Sequence, residues 1–298
     1  MNVLEEIRDC FAALQPGYRR LNCTGEYAAY VIKDSGLYGV ALPFPDSEII
    51  SEKFSSCRMI SKEMFIESKQ GTYLLLMCDE YNLRYEFASL CAHFANPGES
   101  GRERKKIIAD PRKWWESWCK LLGNKMSEKS AYAEIAEMIV LDHLFQHDKS
   151  VKWTAKQNGS HDIESDTGSF EIKSTVSRYE TEITITGQHQ LFSERKLELY
   201  FIRMEKSSAG ISIDDMKEKL LSHGYDEGLL EDQLIKAGFE MGAGARKQKY
   251  KILEKRVYTV DDSFPKITND SFVSGHMPES IIRITYTIDL NGIDYNVW

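Results

Sequence analysis

The chain has 298 residues and a formal net charge of −8, with 42% apolar and 28% charged residues. Such a length and mixture suit one large or two ordinary globular domains and argue against extended disorder. No apolar run approaches the roughly 20 residues that a membrane-crossing helix needs, and Met-Asn-Val-Leu-Glu-Glu lacks the basic-then-apolar start of a secretory signal, so a cytoplasmic protein is expected.

Spacing of apolar residues predicts a helix over 5–14, then a hairpin of 27–32 and 37–42 around the turn 33–36. A second hairpin is expected from 64–67 and 72–77 around 68–71. Residues 83–94 fit a helix and 96–101 a loop. All six cysteines, Cys10, Cys23, Cys57, Cys78, Cys91 and Cys119, fall in this half, without the paired short spacings of a zinc site. Reduced, mostly buried thiols are the simplest reading. A domain boundary is expected between 97 and 125, placed at 115, giving an N-terminal α+β domain over 1–115 and a second domain over 116–298.

Beyond residue 125, Ala131, Ile135, Met138, Ile139, Asp142 and Phe145 predict one long helix ending near His147 and Asp148. Strand-like runs follow at 152–154, 160–165, 169–175, 182–186 and 197–203. Helices are expected over 212–222 and 226–237, and strands over 250–260 and 281–290. The net charge of −7 after residue 124 does not advertise nucleic-acid binding, although a site that holds a metal on carboxylates must itself be acidic.

The chemistry concentrates in 160–174. Two strands joined by Asp166-Thr167-Gly168 read as a tight hairpin. A two-residue loop at 166 and 167 sets Asp162 opposite Glu171; a loop at 167 and 168 sets Asp162 opposite Lys173 and Glu164 opposite Glu171. In either register Asp162, Glu171 and Lys173 share one face, while Ile163, Phe170 and Ile172 point to the other. Two carboxylates beside one ammonium are costly unless a hard divalent cation uses them. Oxygen donors suit Mg²⁺ or Mn²⁺, and the lysine can orient the water that attacks a phosphodiester.

Asp162 followed by Glu171-Ile172-Lys173 resembles the signature of the PD-(D/E)xK nuclease superfamily, best known from restriction endonucleases. His161 stands where that name has Pro. Ala136-Glu137 before an apolar run looks like the helix stretch whose Glu binds metal in many such enzymes, with Ala in place of the usual Gly. Thr186 to Leu191 is similar to the segment that supplies a polar Gln, here Gln190, on the following helix. Residues 110–290 are more widely similar to the PD-(D/E)xK proteins of bacterial phage-defence and restriction gene clusters. That similarity rests on Asp110-Pro111, Trp114-Trp115, Trp118, Leu122-Gly123-Asn124, His161-Asp162, His189-Gln190-Leu191, Phe264-Pro265-Lys266-Ile267 and Tyr286 with Asp289-Leu290.

The resemblance implies a restriction-endonuclease-like α/β core, a mixed sheet flanked by helices, after the mostly antiparallel N-terminal region: an α+β protein. It implies Mg²⁺-dependent DNA cleavage, with Asp162, Glu171 and Glu137 on the metal, Lys173 on the water, and Gln190 on a phosphate or on the lysine. Implied partners are DNA and a methyltransferase or ATPase subunit, and a homodimer is allowed. A subunit that keeps the fold only to bind DNA or such a partner is the alternative. RNA or structure-specific DNA remains open as substrate. Glu134 lies three residues from Glu137, and the apolar neighbours of Glu137 mark it as the more buried of the two.

Other features divide between structure and function. Residues 246–256 carry a net +5, and Arg246, Lys247, Lys249 and Lys251 are candidates for DNA backbone contact or for a solvated face. Arg102 to Lys106 poses the same choice. Trp114, Trp115 and Trp118 suit core packing better than base stacking. His143 and His147 suit a helix end better than a metal, and Gly242-Ala-Gly244 a loop better than a phosphate cradle.

Overall fold

Apolar alternation builds the first half into a sheet. The computed structural model describes residues 2–13, 15–34, 36–121, 131–155, 161–187, 190–273, 275–278, 280–281 and 283–298. The chain divides into two compact units, 1–127 with 241–244, and 128–240 with 245–298. Seven α-helices and thirteen strands, among the described residues, make it an α+β protein.

The first unit holds α1 (Val3–Ala13), β1 (Gly17–Arg20), β2 (Tyr30–Asp34), β3 (Leu37–Pro43), β4 (Ser51–Phe54), β5 (Cys57–Ile66), β6 (Lys69–Cys78), α2 (Arg84–Ala95), α3 (Arg102–Ala109) and α4 (Pro111–Leu121). Its strands form one antiparallel sheet in the order β1-β2-β3-β6-β5-β4. Helix residues Ile7, Phe11, Phe87 and Phe94 form one core with Val40, Leu42, Leu74 and Leu76 of the sheet.

The β5–β6 turn is tighter than the expected 68–71. Ile66 pairs with Lys69, and Glu67 and Ser68 take φ of 50° and 63°, as the two centres of a primed hairpin turn require. α3 was not anticipated from its basic composition. Arg104 is buried in it, donating to the carbonyls of Ala28 and Ala95 at 2.7 and 2.8 Å. α4 starts at Pro111 behind Asp110, whose Oδ1 accepts from the Lys113 N–H at 3.0 Å. The boundary expected at 115 falls inside α4, which lies whole in the first unit.

The second unit holds α5 (Ala131–His147), β7 (Lys152–Trp153), β8 (Ile163–Glu164), β9 (Gly168–Thr175), β10 (Glu182–Ile185), β11 (Lys196–Ile211), α6 (Ile213–Ser222), α7 (Glu227–Ala237), β12 (Tyr250–Thr259) and β13 (Tyr286–Asp289). The main sheet is mixed, in the order β12-β11-β9-β8-β7, with β9 and β11 parallel and the other pairs antiparallel. On one face Ile163, Phe170, Ile172, Ile202 and Met204 pack with Ile135 and Met138 of α5, Leu220 of α6 and Leu234 of α7. On the other, Leu199, Phe201 and Tyr258 pack with Leu191 and with Ile183, Ile185 and Ile288 of the small β10–β13 sheet. Ser212 and Asp215 cap α6 reciprocally, and Asp226 caps α7. No described helix is long and apolar enough to cross a membrane.

Candidate active site

The β8–β9 register pairs Ile163 with Phe170 and Glu164 with Ser169, which sets Asp162 opposite Glu171 and leaves Asp166 and Thr167 as the loop. Ser165 closes the turn: its Oγ accepts from the N–H groups of Thr167 and Gly168 at 3.2 and 3.1 Å. Alternation then sends Phe170 and Ile172 under α5, and Glu171 and Lys173 to the opposite face.

Glu171 is only 2% exposed, and Lys173 Nζ donates to its Oε1 at 2.7 Å. Asp162 is pinned twice. Its Oδ2 accepts from the Ile172 N–H at 2.8 Å, and its carbonyl accepts from the N–H groups of Thr154 and Ala155 at 2.9 and 3.0 Å. Burial, and then the negative charge of Asp162, push the Glu171 carboxyl up to about 7, although Lys173 opposes both.

His161 lies buried beside this pair. Its Nδ1 is 2.9 Å from Glu164 Oε1, and its Nε2 has no hydrogen-bond partner among the described residues. Glu164 Oε2 in turn accepts from Ser169 Oγ at 2.8 Å.

A family described as "Putative PD-(D/E)XK family member" (DUF4420) matches residues 18–291. The chain belongs to this family. The match begins at β1, so it takes in the antiparallel first unit as well as the 110–290 stretch that carries the motifs. No curated protein and no solved structure matches the chain.

Members of the PD-(D/E)XK superfamily generally use divalent metals, and the hairpin fits one in donor chemistry. Asp162 and Glu171 offer hard oxygens, and a cation between them relieves the repulsion that holds Glu171 towards its protonated form. Mg²⁺ commonly takes one or two protein carboxylates and completes its shell with water and phosphate oxygens.

Glu137, expected on the metal, meets Trp153 among the described residues. Its Oε2 accepts from the Trp153 indole N–H at 2.5 Å, and Trp153 pairs with Ile163 on the α5 side of the sheet, away from the face that carries Glu171 and Lys173. Among the described residues no three His, Cys, Asp or Glu side chains converge on a metal position. The expected difference between Glu134 and Glu137 is also absent, because they are 6% and 8% exposed. α5 buries every residue from Glu134 to Asp142, so no polar face exists for Glu134 to occupy.

Gln190 sits in a turn, not on a helix. Its Oε1 accepts from the Thr186 N–H at 2.8 Å and its own N–H donates to the Gly187 carbonyl at 3.2 Å. That local ring engages the amide oxygen, the atom that would accept from Lys173. His189 and Leu122-Gly123-Asn124 lie outside the described residues.

The basic stretch separates into two kinds of residue. Arg246 is 2% exposed: its Nε donates to Asp214 at 2.7 Å, and its two terminal nitrogens to Glu231 at 3.0 and 2.9 Å. It is therefore a structural ion-pair residue and not the DNA contact expected. Lys247 and Lys251 are exposed, and Lys249 pairs with Asp215 at 3.2 Å with both side chains 42% exposed.

Elsewhere, Gly242 takes φ of 89° and its carbonyl accepts from Arg112 at 2.7 Å, a hydrogen-bonded turn within the first unit. Trp115 is buried, and Trp114 packs on Phe94 with ring centres 4.9 Å apart. His143 and His147 have ring centres 5.6 Å apart, and burial, with the neighbouring His147 next, lowers the His143 pKa.

Trp153 and Thr154 entered the sequence reading only as part of the strand-like run 152–154, and His161 only in the run 160–165 and as a replacement for Pro. The Asp162 backbone bonds that involve Thr154 come from strand pairing, which spacing in the sequence does not report.

Proposed function

We propose that this chain is a Mg²⁺- or Mn²⁺-dependent nuclease that hydrolyses DNA phosphodiester bonds in a bacterial restriction or phage-defence system. The observation that carries the reading is a carboxylate buried to 2% exposure, facing a second carboxylate and tied to a lysine at 2.7 Å. At Glu171 burial and a second carboxylate outweigh the lysine, the kind of perturbation that gathers at functional sites.

Asp162 and Glu171 would hold the cation, which when bound would supply charge neutralisation at the phosphate and acidify a water. The Ile172 N–H keeps Asp162 turned towards Glu171. Glu171 Oε1 fixes the Lys173 ammonium at the same spot, where it orients the attacking water and offsets charge that develops on the phosphate. Lys247, Lys249 and Lys251 are the remaining candidates for backbone contact, and a methyltransferase or ATPase is the candidate partner.

One observation favours a second reading, a nuclease-fold subunit that binds without cleaving: among the described residues no third carboxylate completes a metal-holding group with Asp162 and Glu171, and Glu137 is engaged by Trp153. The deciding experiment incubates the purified chain with methylated and unmethylated phage DNA, in Mg²⁺ and in EDTA. Cleavage in Mg²⁺ that Glu171→Gln abolishes is expected. A folded wild-type chain that binds DNA and cuts neither substrate overturns the enzyme in favour of the binding subunit.

A further inference from the structure

Two thiols face each other across the first unit's sheet, far in sequence from the hairpin. Cys57 opens β5 and Cys78 closes β6, and they are direct partners in the antiparallel register. The next pair outward, Ser56 and Asp79, is hydrogen-bonded, with the Asp79 N–H donating to the Ser56 carbonyl at 3.2 Å. Hydrogen-bonded and non-bonded pairs alternate along an antiparallel ladder, so Cys57 and Cys78 form a non-bonded pair, the kind whose Cα atoms lie about 4.5 Å apart. That separation falls in the roughly 4.4–6.8 Å range of disulfides, at its short end.

The two side chains are in hydrogen-bond contact, and both cysteines are free thiols. The Glu80 N–H donates to Cys78 Sγ at 3.4 Å. Cys78 is fully buried, whereas Cys57 is partly exposed. The Cys57 hydrogen bond lowers the Cys78 thiol to about 6 and raises that of Cys57, so the pair readily gives up one proton.

We propose that Cys57 and Cys78 are a modification site, forming a reversible intrachain disulfide by exchange with a small disulfide of the glutathione class. Cys57, the sulfur within reach of solvent, passes its proton to the Cys78 thiolate as it attacks; a bond to one glutathione sulfur forms, and the other glutathione leaves as a thiolate that takes up the proton from Cys78. Cys78 then attacks Cys57 as a thiolate, the protein disulfide forms and the second glutathione leaves. Two protein thiols are oxidised and one small disulfide is reduced to two thiols. Attack by reduced glutathione runs both steps backwards and restores the two thiols. Cys91 also lies near Cys78, but it sits on α2 and has no register partner.

The test treats the folded full-length chain with oxidised glutathione, quenches in acid, alkylates in denaturant and maps the peptides by mass spectrometry. The expected product is a Cys57–Cys78 link that reduced glutathione reverses, with Cys10, Cys23, Cys91 and Cys119 alkylated. In Cys78→Ser, a glutathione adduct persisting on Cys57 is expected. Alkylation of Cys57 and Cys78 in the wild type, a stable adduct there on Cys57, or a Cys78–Cys91 link would overturn the proposal. The wild-type map decides even where a variant folds poorly, and it is independent of nuclease activity.

Discussion

Two of the places where the second unit buries charge, the Arg246 cluster and the β8–β9 hairpin, resolve it in opposite ways. Around Arg246 the partners outweigh burial: burial disfavours the guanidinium charge, yet Glu231 and Asp214 raise its pKa, and its hydrogen bonds hold Glu231 down to about 2. At the hairpin the partners fall short, since burial and Asp162 lift Glu171 to about 7 despite Lys173. A buried charge that its neighbours overcompensate ties α6, α7 and the turn before β12 together. One that they undercompensate is a cost that a bound cation can remove.

The sharpest way to break this comparison is to remove the compensated charge. Arg246→Met strips Glu231 and Asp214 of their shared cation and should cost about 3–5 kcal/mol in denaturant unfolding, the scale for losing one member of a buried ionic group. Salt dependence of DNA binding should not change with it. A loss under about 1 kcal/mol would make Arg246 no better compensated than a surface charge.

Acid–base behaviour should separate the two places at opposite ends of the pH scale. Glu171 has a folded pKa above its ordinary 4.5, so its contribution is complete below pH 4.5 and is lost as pH rises through about 7. In EDTA this amounts to about 3 kcal/mol of declining stability across that window, and Glu171→Gln should flatten it. Glu231 is lowered to about 2, so its contribution holds above pH 4.5 and is lost as pH falls towards 2. Denaturant midpoints of the wild type and the Gln variant from pH 4 to 8 measure the first limb.

Trp153→Phe probes a third buried charge, Glu137, by deleting the indole donor at its Oε2. Stability should fall by about 1–3 kcal/mol, the penalty for a buried acceptor left without its donor. The smallest effect on stability belongs to the surface lysines. Changing Lys247, Lys249 and Lys251 to Glu should alter unfolding by about 1 kcal/mol or less, while the log–log salt slope of DNA binding flattens by roughly one unit per lost phosphate contact.

How far the molecule was legible follows from where its signals are local. The hairpin face of Asp162, Glu171 and Lys173 follows from period two alone, and turn composition narrowed the register to two, of which the one with its loop at 166 and 167 formed. α6 and α7 formed where helices are expected over 212–222 and 226–237, each starting one residue later because Ser212 and Asp226 are the caps. Edge strands did not: β1 is exposed throughout and β4 is largely polar, so neither shows alternation. Arg246 looked like part of a basic face because its partners, Asp214 and Glu231, lie 32 and 15 residues away. Summed charge along the chain cannot register such pairing. Gln190 and Glu137 were placed by resemblance, and here a turn hydrogen bond and an indole engage them.

The most direct test of the central claim is a thermal denaturation series in which Mg²⁺ is titrated into the full chain and into Glu171→Gln at neutral pH. A ligand that binds only the folded state raises the melting temperature as its concentration passes the dissociation constant. The account predicts a rising melting temperature for the wild type, none for the Gln variant, and equal or slightly higher stability for that variant in EDTA. The same Mg²⁺-dependent rise in both proteins, or none in the wild type, would contradict the assignment of Glu171 as a metal-binding carboxylate.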